Sequence, residues 1–254
     1  MLFRSLSEVR ILPSGALLPT RIIPSVFNQQ QGLVLANNGD VYVSNGTSYY
    51  QIAWPTWIGT VGGSTIASNE SCFSLYADQN NSLYCSMSAR HLVIKRSFFS
   101  TSNATVIVAG NGSAASDSST LSSPRGILVT ASLDLYVADC GNNRVQFFSL
   151  GQSNGTTVAG NGVSGTIILS CPAAISLDGD GYLFIVDQNN HRIIGAGPTG
   201  FRCIVGCSSQ SGSTSFQLQF PSHLAFDMDG NLFVTDMSNG RIQQFMLGSN
   251  TCSK

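Results

Sequence analysis

Short apolar runs alternate with polar turns along most of the chain, and in its second half the pattern recurs about every 48 residues. In the clearest copy, the polar turn Asp178 to Gly181 leads into the apolar run Leu183 to Val186, and an Asn-rich turn then precedes Arg192-Ile193-Ile194. Runs of β-branched and aromatic residues bounded by Gly, Asn and Asp predict strands joined by tight turns. Pro124 to Leu150 and Pro221 to Leu247 repeat the same order of elements. The pattern therefore predicts an all-β repeat protein.

A fourth strand is predicted in the complete units, because Val108 to Gly112 and Val158 to Gly162 have the same sequence, Val-Ala-Gly-Asn-Gly. Units of four antiparallel strands and about 40 to 50 residues are typical of β-propeller blades, which pack radially and bury both faces of each sheet. We expect one domain over residues 1–254. Its five recognisable units lie at residues 31–66, 71–112, 124–162, 172–207 and 221–254, and the first two are eroded.

The unit that starts at residue 221 contains only three predicted strands. Either Arg10-Ile11-Leu12 or Arg21-Ile22-Ile23 is expected to supply its outer strand, which makes residues 1–30 the candidate closing segment. The alternative is an open arc, which would expose a whole apolar sheet face and indicate a truncated chain.

One stretch carries a resemblance to a known family. The sequence Leu-Phe-Ile-Val-Asp-x-x-Asn-His-Arg-Ile, from Leu183 to Ile193, resembles the NHL repeat, which is named for the Asn, His and Leu or Ile of that motif. The resemblance extends over residues 124–247 and is faint before them. It implies a β-propeller, usually of six blades, so the five recognisable repeats are expected to form a six-bladed ring or a truncated one.

Charge and hydropathy narrow the classes of partner. The formal net charge is −1 and the only lysines are Lys95 and Lys254, so nucleic acid is not expected to bind. No apolar run approaches the roughly 18 residues of a membrane-spanning helix, and the N-terminus lacks the apolar core of a secretory signal. We expect a monomeric domain without a membrane span.

Cysteines and glycosylation sequons favour an extracellular or cell-surface protein, with a cytoplasmic location as the alternative. The chain has seven cysteines and no Cys-x-x-Cys pair, so a zinc ribbon or thioredoxin-like motif is not indicated. Asn-x-Ser/Thr sequons, which predict N-glycosylation, lie at Asn45, Asn69, Asn80, Asn103, Asn111 and Asn154.

Disulfide partners follow in part from the predicted strands. Cys72 and Cys85 are expected to lie diagonally across one hairpin, within bridging distance, with a plain core position for Cys85 as the alternative. Cys140, Cys171 and Cys207 should fall at the same end of the propeller, so Cys171 could pair with either neighbour. Cys203 and Cys207, about 13 Å apart on an extended strand, are predicted to lie too far apart to bridge.

The residues that could suggest chemistry have a structural interpretation as well. An Asp that ends one strand and an Arg that opens the next recur in three units, and we expect each pair to stabilise its own turn. The histidines, His91, His191 and His223, are expected at different positions of their units, so neither a metal nor another cofactor is predicted. The repeated pairs are Asp139 with Arg144, Asp187 with Arg192 and Asp236 with Arg241.

The function that fits these observations is a non-catalytic scaffold that binds an unidentified protein or glycan. The alternative is a metal-dependent propeller enzyme, because the NHL resemblance includes peptide-amidating lyases with metal-bound histidines, and related six-bladed propellers hydrolyse lactones. RNA binding, which the resemblance also includes, would need a more basic surface than two lysines provide.

Overall fold

A computed structural model describes residues 71–80, 82–97, 105–163 and 166–246. Before residue 71 it describes residue 37 and seven strands, with side chains only for residues 34, 35, 37 and 42–44. The predicted glycosylation sites Asn45, Asn69 and Asn103 lie outside the described residues. Within the described residues, no helix is long and apolar enough to span a membrane.

The described strands form six antiparallel sheets in chain order. The first sheet contains β1 (Leu2–Arg4), β2 (Val9–Ile11) and β3 (Arg21–Ile23), and the second contains β4 (Gly32–Leu35), β5 (Val41–Ser44), β6 (Ser48–Ile52) and β7 (Ser64–Ser68). The third contains β8 (Ser74–Ala77), β9 (Leu83–Met87), β10 (Leu92–Arg96) and β11 (Thr105–Ala109), and the fourth contains β12 (Pro124–Val129), β13 (Leu135–Asp139), β14 (Arg144–Phe148) and β15 (Thr156–Gly160). The fifth contains β16 (Pro172–Leu177), β17 (Leu183–Asp187), β18 (Arg192–Gly195) and β19 (Arg202–Val205), and the sixth contains β20 (Pro221–Phe226), β21 (Leu232–Asp236) and β22 (Arg241–Phe245).

The sheets are arranged as the blades of a propeller, and the fold prediction is confirmed. Each strand pairs with the next one along the chain, so every sheet is a simple meander. The first strands of successive sheets pack side by side, β4 on β8, β8 on β12, β12 on β16 and β16 on β20. These first strands therefore surround the propeller axis, and the later strands of each sheet lie progressively further out.

Apolar side chains form four layers between neighbouring sheets rather than one central core. The layer between the third and fourth sheets, for example, joins Tyr84 and Val93 to Ile127, Val137 and Phe148. A lone four-stranded sheet would leave both of its apolar faces in water, so the stacking itself supplies the hydrophobic stabilisation. The other three layers lie between the second and third, the fourth and fifth, and the fifth and sixth sheets.

The predicted closing segment forms strands of its own. Arg10 and Ile11 lie in β2 and Arg21–Ile23 is β3, and both strands pair within the first sheet. In the described part of the chain, β22 pairs with β21 alone. The identity of the sixth sheet's outer strand stays a prediction.

Three disulfides link the described cysteines. Cys72–Cys85 links the segment just before β8 to β9, so the predicted pairing is found, and Cys171 pairs with Cys140 rather than with Cys207. The third disulfide is Cys203–Cys207, with a Cα–Cα distance of 5.6 Å. The prediction that this pair lies too far apart is therefore wrong. Strand β19 ends at Val205, and Gly206 at φ +72° turns the chain back before Cys207.

Candidate functional site

The turn that contains Asp139 and Arg144 shows how one end of the propeller is built. Asp139 ends β13, is fully buried, and accepts the backbone N–H of Ser122 at 2.7 Å through Oδ1. Its Oδ2 accepts Arg144 Nε and Asn142 Nδ2, both at 2.8 Å. Burial raises the pKa of Asp139 although these hydrogen bonds favour the ionised form. Both carboxylate oxygens are used within the chain, which supports the structural interpretation of this pair.

The other guanidinium nitrogens of Arg144 hold the segment that leads into β12. Nη1 donates to Ser116 O at 2.7 Å, and Nη2 donates to Asp117 O and Thr120 O at 2.9 and 3.0 Å. One buried ion pair therefore fixes both the turn between β13 and β14 and the loop that arrives from the previous sheet.

The same arrangement recurs in the fifth and sixth sheets. Asp187 pairs with Arg192 at 2.8 Å, and Arg192 Nη2 donates to Ile168 O. Asp236 pairs with Arg241 at the same distance, and Arg241 donates to backbone carbonyls of residues 213, 214 and 217. We call the end of the propeller where these turns lie, and where the first strands begin, the repeat-turn end. The opposite end, which includes the hairpin turn at residues 178–181, is the hairpin end.

In the third, fourth and fifth sheets, the residue that closes the corresponding turn also ties its sheet to the next one. His91, Asn143 and His191 all adopt left-handed backbone, with φ between 54° and 56°. Their side chains accept backbone N–H groups that precede the next sheet, from Ser123 at 3.0 Å, Cys171 at 2.8 Å and Phe220 at 3.2 Å respectively. The prediction that the histidines occupy different positions is therefore wrong for His91 and His191, which are equivalent. Alignment of the repeats could have shown this equivalence, because Met87 and Leu92 take the places of Asp187 and Arg192 and each histidine directly precedes its strand.

Four first strands surround a cavity of about 150 Å³ on the axis, lined by Ser74, Leu75, Gly126, Ile127, Ala174, Ile175, His223 and Leu224. Two of its walls, β12 and β16, approach closely at Gly126 and Ala174. A Cβ added to Gly126 would lie 2.6 Å from Ala174 Cα and 2.8 Å from Ala173 O. Glycine is therefore required by the contact between β12 and β16.

A β-bulge in each of β12, β16 and β20 follows the opening proline and changes the register at the cavity mouth. Bulges re-aim side chains and are frequent beside functional sites. The residues that follow the prolines are Arg125, Ala173 and Ser222, and Phe73 occupies the corresponding place just before β8. The side chains at these equivalent positions differ in size, polarity and charge, although the register shift of the strands around them repeats.

Arg125 connects several sheets at this mouth. Its guanidinium lies 5.1 Å from the centre of the Phe73 ring, in the third sheet's segment, and Nη1 donates to Gln188 Oε1 in the fifth. Gln188 Nε2 in turn donates to Pro221 O at 3.1 Å, at the start of the sixth. Burial lowers the pKa of Arg125. Sequence reasoning missed these residues, although alignment of the repeats places Arg125 where Ala173 and Ser222 stand.

Large apolar side chains are also exposed at the repeat-turn end. Ile168 and Phe216 are 77% and 81% exposed, and Met237 is 51% exposed. Phe216 lies between Thr214 and Gln217, whose carbonyls bind Arg241. Met237 and Phe220 lie near each other, because their chain neighbours Ser238 and Gln219 are joined by a hydrogen bond from the N–H of Ser238 to Gln219 O at 3.0 Å. Phe216, Phe220 and Met237, which we call the apolar cluster, thus belong to one sector of this end.

The acidic turns of the hairpin end use their oxygens locally. Asp178 Oδ1 accepts the N–H groups of Asp180 and Tyr182, and Asp227 makes the corresponding bonds in the sixth sheet. Among the described residues, no three His, Cys, Asp or Glu side chains are grouped as metal ligands.

The class of protein that this geometry defines is a β-propeller. Residues 121–148, which contain the Asp139 turn, match the NHL repeat family, so the predicted resemblance is confirmed. No protein of curated function matches the chain in sequence.

Several solved structures share the fold. The nidogen/laminin complex matches with a TM-score of 0.72 at 16% identity, over 96% of this chain and 88% of that chain. An auxiliary nutrient binding protein from Bacteroides thetaiotaomicron matches with a TM-score of 0.68 at 14% identity, over 94% and 65%. Virginiamycin B lyase from Staphylococcus aureus matches with a TM-score of 0.55 at 13% identity, over 85% and 69%. At these identities the similarity shows the fold alone.

Proposed function

We propose that this chain is a non-catalytic scaffold that binds another protein through the loops of its repeat-turn end. The observation that carries the proposal is the apolar cluster, Phe216, Phe220 and Met237, which is exposed in one sector of that end. Aromatic and Met side chains are enriched at protein interfaces and contribute most of the binding energy where they become buried.

The frame beneath this surface supports the proposal. Arg241 holds the loop that contains Phe216 by three hydrogen bonds to backbone carbonyls, between 2.7 and 3.1 Å. Loops that a rigid scaffold positions are common sites of recognition, and a loop that is already fixed loses less conformational entropy on binding. The similar fold in the nidogen/laminin complex gives a precedent for a propeller with a protein partner.

The experiment compares two ends of the same propeller. Phe216→Ser and Met237→Ser change the apolar cluster, whereas Met228→Ser changes a fully exposed methionine at the hairpin end and is the matched control. Binding of each variant to a panel of purified extracellular matrix proteins, laminin included, is measured by biolayer interferometry.

We expect at least one panel member to bind the unmodified chain. Both cluster variants should weaken that binding about tenfold or more, which corresponds to the roughly 1.4 kcal/mol or more of a truncated interface anchor. Met228→Ser should change it less than twofold. Equal effects of all three variants, or binding that none of them alters, would place recognition elsewhere.

We also propose that the protein is extracellular and glycosylated. Three disulfides support an oxidising compartment. Of the predicted sequons, Asn80, Asn111 and Asn154 are described and exposed.

Expression behind a heterologous secretion signal should give a product whose electrophoretic mobility increases after digestion with an endoglycosidase. Asn111→Gln and Asn154→Gln should each remove one step of that shift, and a product that the enzyme leaves unchanged would contradict the glycosylation proposal.

A further inference from the structure

Arg125 is a half-buried cation without a carboxylate partner among the described residues. Arg144, Arg192 and Arg241 each pair with an aspartate at 2.8 Å, and Lys95 pairs with Asp78 at 3.3 Å. Arg125 instead contacts a neutral amide and an aromatic ring. A buried charge is costly when no opposite charge compensates it. The repeat-turn end therefore contains an uncompensated positive charge beside the axis.

The guanidinium retains donors for a ligand. It has five N–H donors in a planar fork, and one of them is used by Gln188 Oε1. Its Cζ atom lies over the Phe73 ring, 5.1 Å from the ring centre. This contact and the hydrogen bond to Gln188 hold the guanidinium and leave an edge of the fork with N–H donors for an acceptor. A carboxylate matches that edge with two parallel hydrogen bonds, which makes arginine the preferred residue for this anion.

The residues around Arg125 place it at the mouth of the axial cavity. Phe73 and Arg125 each directly precede a cavity-lining residue, Ser74 and Gly126, and Pro221 lies two residues before His223. The cavity volume, about 150 Å³, suits a small molecule rather than a peptide chain. His223, whose Nδ1 lies 3.4 Å from Ser222 Oγ, adds a polar side chain to the cavity wall.

We propose that the mouth of the axial cavity binds a small organic carboxylate, with Arg125 as its principal ligand. Phe73 orients the guanidinium, and Gln188 holds one of its nitrogens. The axial cavity, about 150 Å³ in volume, receives the apolar part of the acid. This proposal does not depend on the protein-binding proposal, because its test uses a free small acid and no partner.

The test measures binding of succinate to the folded chain by NMR. The arginine Nε–Hε and histidine ring resonances are followed while sodium succinate is added, with sodium chloride at equal ionic strength and succinamide as the neutral isostere. The variants are Arg125→Gln, which removes the charge, and Arg202→Gln, which removes the exposed arginine of β19 and is the matched control. Arg125→Lys replaces Arg125→Gln if the latter does not fold.

We expect succinate to shift the Arg125 and His223 resonances saturably, and succinamide and chloride to leave them unchanged. In the variants His223 is the reporter. Arg125→Gln or Arg125→Lys should weaken binding at least tenfold, whereas Arg202→Gln should change it less than threefold. A shift that chloride reproduces, equal binding after Arg125→Gln, or a loss with Arg202→Gln of the same size would overturn the proposal.

Discussion

The contact between β12 and β16 makes a sharp prediction for Gly126→Ala. Neither Gly126 nor Gly179 has a positive φ, so alanine is compatible with the backbone at both positions. They differ in their surroundings. A Cβ at Gly126 would lie 2.6 Å from Ala174 Cα, whereas nothing lies within 4 Å of a Cβ at Gly179. Gly179→Ala is therefore the matched control.

The expected magnitude follows from the distance. Ordinary carbon–carbon contact is about 3.5 Å or more, so β12 and β16 would have to separate by about 1 Å. Overpacking of this kind costs roughly 1–3 kcal/mol. For a chain of this length, 1 kcal/mol corresponds to about 2–4 °C in melting temperature. We expect Gly126→Ala to lower the melting temperature by about 5 °C, and Gly179→Ala to change it by about 1–2 °C or less.

Differential scanning calorimetry of the two variants tests this reasoning. The atoms that the new Cβ would meet belong to the backbone, so adding Ala174→Gly to Gly126→Ala should not restore stability. If Gly126→Ala has the same melting temperature as Gly179→Ala, β12 and β16 do not pack as closely as described. If Ala174→Gly rescues it, the contact is one of side chains and the account of this glycine is wrong.

Two further predictions concern links between and within sheets. His191→Asn should change the free energy of unfolding by about 0.5 kcal/mol or less, because Asn143 fills the equivalent left-handed position and accepts the same kind of backbone N–H. His191→Ala should cost about 2 kcal/mol, measured by urea titration. Equal costs for the two variants would show that the acceptor is irrelevant. Replacing both cysteines of a disulfide by alanine should lower the free energy of unfolding by about 4 kcal/mol for Cys140–Cys171 and about 2 kcal/mol for Cys203–Cys207, since the loops they close differ in length, at 31 and 4 residues. Free thiols at either pair in a non-reducing peptide map would contradict the connectivity.

The repeated turns were accessible from the sequence because each is a local structure. Asp139 and Arg144 are five residues apart, and the turn between them brings the strand ends into direct register. Any unit that keeps the Asp, the Asn-rich turn and the Arg can be read in the same way. The prediction for Cys203 and Cys207 was wrong for a local reason too, because it extended a strand through Gly206, where the backbone turns.

Contacts between sheets were harder to predict, because they join residues that no spacing rule relates. Gln188 and Arg125 are 63 residues apart, and His191 receives its hydrogen bond from an N–H 29 residues further on. Such contacts depend on how far each sheet is rotated against the next, which the alternation of apolar and polar residues does not specify. The equivalence of His91 with His191 did not need the structure, since His91 and His191 directly precede Leu92 and Arg192, which open equivalent strands.

A repeat protein offers an internal comparison that a single domain lacks. Residues that serve the frame recur at equivalent positions, as Asp139, Asp187 and Asp236 do, each buried and each paired with an arginine. The mouth of the axial cavity behaves differently. Phe73, Arg125, Ala173 and Ser222 occupy corresponding places before or within the first strands, yet they comprise an aromatic ring, a cation, a methyl group and a hydroxyl. Because the frame tolerates all four, its stability does not explain the choice of arginine in the fourth sheet. A requirement that lies outside the frame, such as an anionic ligand on the axis, does explain it.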